Sequence, residues 1–142
     1  MCGYSGEATS MTEALGDLIR KSPVRAMPGR YAVVRCADLP AGSGYFMVTR
    51  DSDEVTIIAE ESELDQLPAL GQEKGYRLVE IRVAAPFQGV GFLAAVTRAL
   101  AAASLSVLVV STYSKDYLLL KEESLAAGLQ ALSEVGFPVV DP

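Results

Sequence analysis

The stretch from Tyr76 to Val140 constrains the fold of this chain most, because its hydrophobic period switches between about two and about 3.6 residues. Tyr76 to Val83 sets Tyr, Leu and Glu against Arg, Val and Ile, a mixed alternation suited to a strand. Beyond Ala84-Ala85-Pro86-Phe87-Gln88-Gly89, the residues Phe92, Ala95, Val96, Ala99, Leu100 and Ala103 line one face of a helix, and the alanines around them raise its propensity. "LSVLVVSTYSKDYLLL", from Leu105 to Leu120, then places two apolar strands around a knot of hydroxyls with one Lys and one Asp. Lys121-Glu122-Glu123-Ser124 opens a second helix carrying Leu125, Leu129, Leu132 and Val135, with acids near its positive end and Gly136 as its stop. Phe137-Pro138-Val139-Val140 closes the run as an edge strand, where proline is tolerated.

The predicted order β, α, β, β, α, β is the split unit of ferredoxin-like sandwiches, so the fold class is α+β, a mainly antiparallel sheet with two helices on one face. The first half repeats the ingredients less regularly. Ser10-Met11-Thr12-Glu13 fits a capping box, and Met11, Leu15, Leu18 and Ile19 continue it as a helix to about Lys21. Pro23 and Pro28-Gly29 break that helix, Arg30 to Cys36 reads as a strand, and Tyr45 to Arg50 with Val55 to Ala59 reads as a hairpin. The acids Asp51 to Glu54 solvate its turn. Glu61 to Leu70 is a short helical candidate, and Gln72-Glu73-Lys74-Gly75 reads as a linker. Ala37 to Gly44 is too short for a crossover helix. The expected organisation is therefore a tail and helix over 1–26, a degenerate unit over 27–72, and a complete unit over 73–142.

Half of the 142 residues are hydrophobic, enough to build one compact core or two small ones that share it. The formal charge is −6 and the twelve Lys and Arg form no basic run, which argues against a nucleic-acid partner. No apolar stretch approaches the roughly 20 residues needed to span a bilayer. "MCGYSGEATS" lacks a secretion signal, so the expected location is the cytosol, without a membrane partner. Histidine is absent, which removes the commonest general base and the commonest zinc ligand. Cys2 and Cys36 have no cysteine partner at ligand spacing and read as reduced structural thiols. The acids at Asp51–Glu54 and Glu60–Glu63 lack a calcium-loop spacing. No catalytic residue, metal site or cofactor is expected.

The βαββαβ order together with "APFQGVGFLAAVTRALAAASLSVLVVSTYSKDYLLLKEESLAAGLQAL" resembles an ACT domain. More narrowly, it is similar to the tandem-ACT group that includes the cytosolic arginine sensors, and to the regulatory ACT pairs of aspartate kinases. The run Ser106-Val107, Ser111-Thr112-Tyr113 and Asp116-Tyr117 carries most of this likeness, and "PGRYAVVR" and "YFMVTR" extend it into the N-terminal half as a degenerate ACT-like unit. The resemblance implies binding: ACT domains pair, and small effectors, usually amino acids, sit at the joint. It also implies contacts from Gly89, Val90, Gly91 and Phe92 in the loop before the first helix, and from Leu105, Ser106 and Val107 on the next strand. An acid in the position of Asp116 helps hold the ligand in the arginine sensors, so arginine or lysine follows by resemblance alone. Those sensors hold four ACT units where this chain has room for two, and a homodimer would restore the count. One departure is Ser104, where such proteins often carry a glycine that turns the chain out of the helix.

The residues support these contacts and also plainer roles. Loop glycines permit close backbone approach and the start of a helix favours a carboxylate, but Gly89-Val90-Gly91 is equally a strand-to-helix turn. Ser106 fits a hydroxyl bonding neighbouring backbone as well as a ligand contact. Asp116 fits a turn acceptor or an anchor for a cationic group. Phe92 lies on the buried face of its helix, Ser111 to Tyr113 read as packing and turn chemistry, and Lys115 reads as solvated. An assembly module without an effector is the alternative function. Met1-Cys2-Gly3 would leave an N-terminal cysteine of the kind glutamine amidotransferases use, but their catalytic domains are considerably longer and another fold accounts for the rest of the chain.

Overall fold

The computed structural model describes residues 13–142, so the capping box at Ser10, Met11 and the Cys2 motif lie outside the described residues. A helix over 13–20 (α1) leads to β1 (Val24–Ala26), β2 (Tyr31–Cys36), β3 (Met47–Arg50) and β4 (Val55–Glu60). β5 (Gly71–Arg82), α2 (Phe92–Ala102), β6 (Leu108–Ser111), β7 (Lys115–Lys121), α3 (Leu125–Glu134) and β8 (Val139–Val140) complete the chain. β7 pairs antiparallel with both β5 and β6, so β5 and β6 run parallel on either side of it, as the split βαβ unit requires. This is the predicted α+β ferredoxin-like arrangement.

The far edge of that unit departs from the simple pattern. β1 inserts between β5 and β8, antiparallel to the first and parallel to the second. Val24 is locked by its N–H, which donates to the Pro138 carbonyl at 2.8 Å. Ile19 of α1, Phe92, Val96 and Leu100 of α2, Leu132 of α3 and Phe137 then pack on Val79, Ile81, Leu118 and Leu120 of the sheet. Phe92 and Phe137 meet edge to face at 5.5 Å. Three helices, not two, thus share the face, and α1 belongs to the same core as α2 and α3.

Gln72 to Gly75 is not a linker. It is the first part of β5, where Glu73 pairs with Val33 and Gln72 with Val34. Its polar composition has a physical cause: both faces of this segment are exposed, and an exposed strand needs no apolar side chains. Tyr76 pairs with Tyr31 and also with Lys121, so β2 and β7 lie on opposite edges of β5. Gly75 stands at that handover with φ +84°, a conformation that costs a side-chain-bearing residue about 1–2 kcal/mol.

The N-terminal half adds the meander β3-β4-β2 to this strand. The short helix expected from Glu61 to Leu70 is a 3-10 helix over Glu61–Gln66. Pro68 ends it: it pushes Leu67 into extended backbone, observed at φ −103° and ψ 132°, leaving too few residues for stable α turns. In the β3–β4 hairpin the acids do more than solvate. Asp51 Oδ1 accepts the Asp53 and Glu54 N–H groups at 2.8 and 2.9 Å, and these bonds hold its carboxyl below the usual range. Cys36 is a buried free thiol beside Val34 and Ile57. Ile58 meets Leu78 and Leu119 in a further cluster on the sheet face away from the helices, joining the two halves.

Candidate functional site

The turn after β6 and the loop after β5 end at the same side of the sheet, and the space between them is a cleft of about 420 Å³. Ser111 and Asp116 are the last paired residues of the β6–β7 ladder. They therefore project on one face, and Ser111 Oγ donates to Asp116 Oδ1 at 2.7 Å. The Thr112 N–H donates to the Lys115 carbonyl at 2.8 Å, which closes the hairpin around Tyr113 and Ser114. The hydroxyl knot is thus a tight turn whose flanks line the cleft.

The opposite wall is Ala85 to Val90 followed by the start of α2. Gly91 occupies the N-cap position of α2 with φ +82°, and no side chain caps that terminus. An uncapped helix start presents unpaired N–H groups and the positive end of the helix dipole. Asp116 supplies a carboxylate across the cleft, and its second oxygen has no hydrogen-bond partner among the described residues. Phe92 and Val83 bring apolar surface to the lining. At the mouth, Phe87 and Tyr113 meet edge to face at 5.1 Å while remaining 79% and 82% exposed. Phe87 also has φ 68°, an unfavourable backbone for a bulky residue.

Four of the eight residues singled out from the sequence line this cleft: Gly89, Val90, Phe92 and Asp116. Gly91 sits behind the lining as the helix cap. Leu105, Ser106 and Val107 lie elsewhere. They form the connection before β6, at the far end of α2, and Leu105 and Val107 pack against the core while Ser106 is exposed. The 11 residues of α2 put roughly 16 Å between this group and the loop. Phe87, Gln88 and Lys115 line the cleft without having been singled out as contacts. The hairpin register, which sets Ser111 against Asp116 and so aims the turn, is the signal that would have found Lys115.

No group of residues suited to a metal ion occurs among the described residues, and no described helix is long and apolar enough to cross a membrane. Residues 72–134 match the family model of the ACT domain. No curated protein matches the chain. Among solved structures, a protein from Agobacterium tumefaciens is similar over 85% of this chain and 93% of its own, with 23% identity and a TM-score of 0.72. A Vibrio cholerae protein of unknown function is similar over 89% and 98%, with 22% identity and the same TM-score of 0.72. The ligand-free regulatory subunit of aspartate kinase from Thermus thermophilus covers 79% of this chain and 95% of its own, with 10% identity and a TM-score of 0.58. At these identities the likeness is one of fold.

Proposed function

We propose that this chain, whose residues 72–134 are an ACT domain, is a regulatory protein of the cytoplasm that binds a free amino acid in the cleft between the α2 loop and the β6–β7 turn. The observation that carries the reading is the pairing of opposite charge across one small cleft, an uncapped helix start on one wall and Asp116 on the other. A zwitterion matches both: its carboxylate faces the helix N–H groups, and a cationic group faces the acid. The similarity to an aspartate kinase regulatory subunit supports a regulatory role.

The site is completed by a second copy of the chain. A ligand that touches both the Gly89–Phe92 loop and the Leu105–Val107 segment needs two ACT units, because about 16 Å separates the two groups within one chain. The exposed rings of Phe87 and Tyr113 at the mouth supply apolar surface for that joint. The same rings favour the second reading, an assembly module that pairs without an effector. Binding regulates by stabilising one arrangement of the paired units over another, which requires different affinities for the two.

Thermal melting against the twenty amino acids tests the proposal. A ligand at about a hundred times its dissociation constant adds roughly 2.7 kcal/mol of stability. One or a few amino acids are expected to raise Tm, and Asp116→Asn to weaken that binding about tenfold or more. Silence across the panel at millimolar ligand leaves the assembly module standing. A hit unaffected by Asp116→Asn removes the anchor role from this acid.

A further inference from the structure

The loop that forms one wall of the cleft is gripped from behind by residues outside the ACT range. Ser22, which follows α1, is fully buried, and its hydroxyl works in both directions. Ser22 Oγ donates to the Leu18 carbonyl at 2.7 Å and accepts the Ala84 N–H at 3.0 Å, where the loop leaves β5. The neighbouring Pro23 carbonyl accepts the Arg82 N–H at 3.0 Å. The far end of the loop is held by packing. A Cβ placed on Gly89 would fall 2.8 Å from Leu18 Cδ2, and one on Gly91 would fall 3.4 Å from Leu15 Cδ2. Beside this packing, a groove of about 200 Å³ lies between α1 and the Gln88–Val90 part of the loop.

We propose that α1 with Ser22 is the positioning element of the binding loop, setting its conformation and hence the affinity of the cleft, an inference that rests on the ligand-binding reading above. Ser22 lines no part of the cleft, so its effect passes through Ala84 and the loop backbone. Removing the buried Ser22 hydroxyl leaves the Ala84 N–H without its protein partner and frees the loop at its origin. Truncating Leu18 removes the support under Gly89 while leaving the backbone carbonyl that Ser22 uses.

Amide hydrogen exchange and calorimetric titration on Ser22→Ala and Leu18→Ala test this in the full chain, with the α3 amides as internal control. The titrant is the amino acid that most raises the melting temperature of the unaltered protein. The expected result is exchange about tenfold faster over residues 84–91, unchanged exchange in α3, and affinity weaker by a similar factor. Loop exchange that stays as before in both variants overturns the proposal. So does exchange accelerated equally in the loop and α3, or a loosened loop with unaltered affinity. If Ser22→Ala does not fold, Leu18→Ala decides by the same measurements. If no amino acid binds the unaltered protein, the ligand reading fails on that arm, while the exchange arm still decides whether α1 holds the loop.

Discussion

Ser104 closes α2 in the left-handed conformation, at φ 60°, and Gly136 closes α3 in the same region at φ 110°. The two ends share one hydrogen-bond pattern. Leu105 N–H donates to the Leu100 carbonyl and Ser104 N–H to that of Ala101, while Phe137 and Gly136 bond the Leu132 and Ser133 carbonyls. Each is a Schellman cap with an apolar residue, Leu105 or Phe137, just beyond it. The sequence departure at Ser104 thus leaves the turn geometry intact, at the energetic cost of a side chain in left-handed backbone. Ser104→Gly is expected to raise stability by about 0.5–1 kcal/mol, read by chemical denaturation; a loss would assign the serine side chain a role of its own. Site residues divide at this scale too. The place of Asp116 at the β6–β7 turn was legible because the two apolar runs around it had to form a hairpin. The distance of Ser106 from the cleft was not, because β6 begins only at Leu108.

Elements were legible wherever one face is buried and the other exposed. α2 and α3 show this clearly, with Phe92, Val96 and Leu100 in the core and Gly128, Ala131 and Leu132 buried on α3. Gly128 looks like a weakness in a helix, and Ala there should gain up to about 1 kcal/mol from propensity alone. Packing reverses the sign. A Cβ at Gly128 would fall 2.5 Å from Leu120 Cδ1, and Leu120 is fully buried in β7. Gly128→Ala is therefore expected to destabilise by about 1–3 kcal/mol in a denaturant melt, and a stabilised variant would contradict the close approach of α3 to the sheet. The opening of β5 failed to show because neither of its faces is buried there, whereas the short helix at Glu61–Gln66 was legible and its end is set locally by Pro68, which holds Leu67 extended.

For the molecule as a whole, the N-terminal segment is structural for the C-terminal half. Val24 is fully buried, β1 separates β5 from β8, and Ile19 joins the helical core. A fragment spanning residues 72–142 is expected to lack cooperative unfolding by circular dichroism, and to regain it when residues 13–26 are restored by fusion; a cooperative fragment would show β1 to be dispensable. The halves also meet through a titratable contact. Phe46 packs edge to face on Tyr117 at 4.7 Å, and Tyr117 Oη donates to Oε2 of the buried Glu80 at 3.2 Å. Burial first, then the Glu80 charge and hydrogen bond, raise the Tyr117 phenol above its ordinary value of 10.0. A phenol raised in the folded state contributes stability that is complete below the unfolded value and is lost as pH rises through the folded one. Tyr31, raised by burial and by Glu60, acts in the same direction. Stability is expected to fall as pH climbs past about 10, and Tyr117→Phe to flatten part of that fall in melts taken across the range.

The sequence by itself determined the order of elements from Tyr76 onward, the stop of α3 at Gly136 and the tight turn at Tyr113, because each follows from local periodicity and backbone chemistry. Only the tertiary structure decided that β1 enters the sheet between β5 and β8, that Gln72 to Gly75 continues a strand, and that Gly89 and Asp116 face one cleft while Ser106 does not. These are pairings between residues distant along the chain, and a short or solvent-exposed segment carries no hydrophobic period to announce its partner.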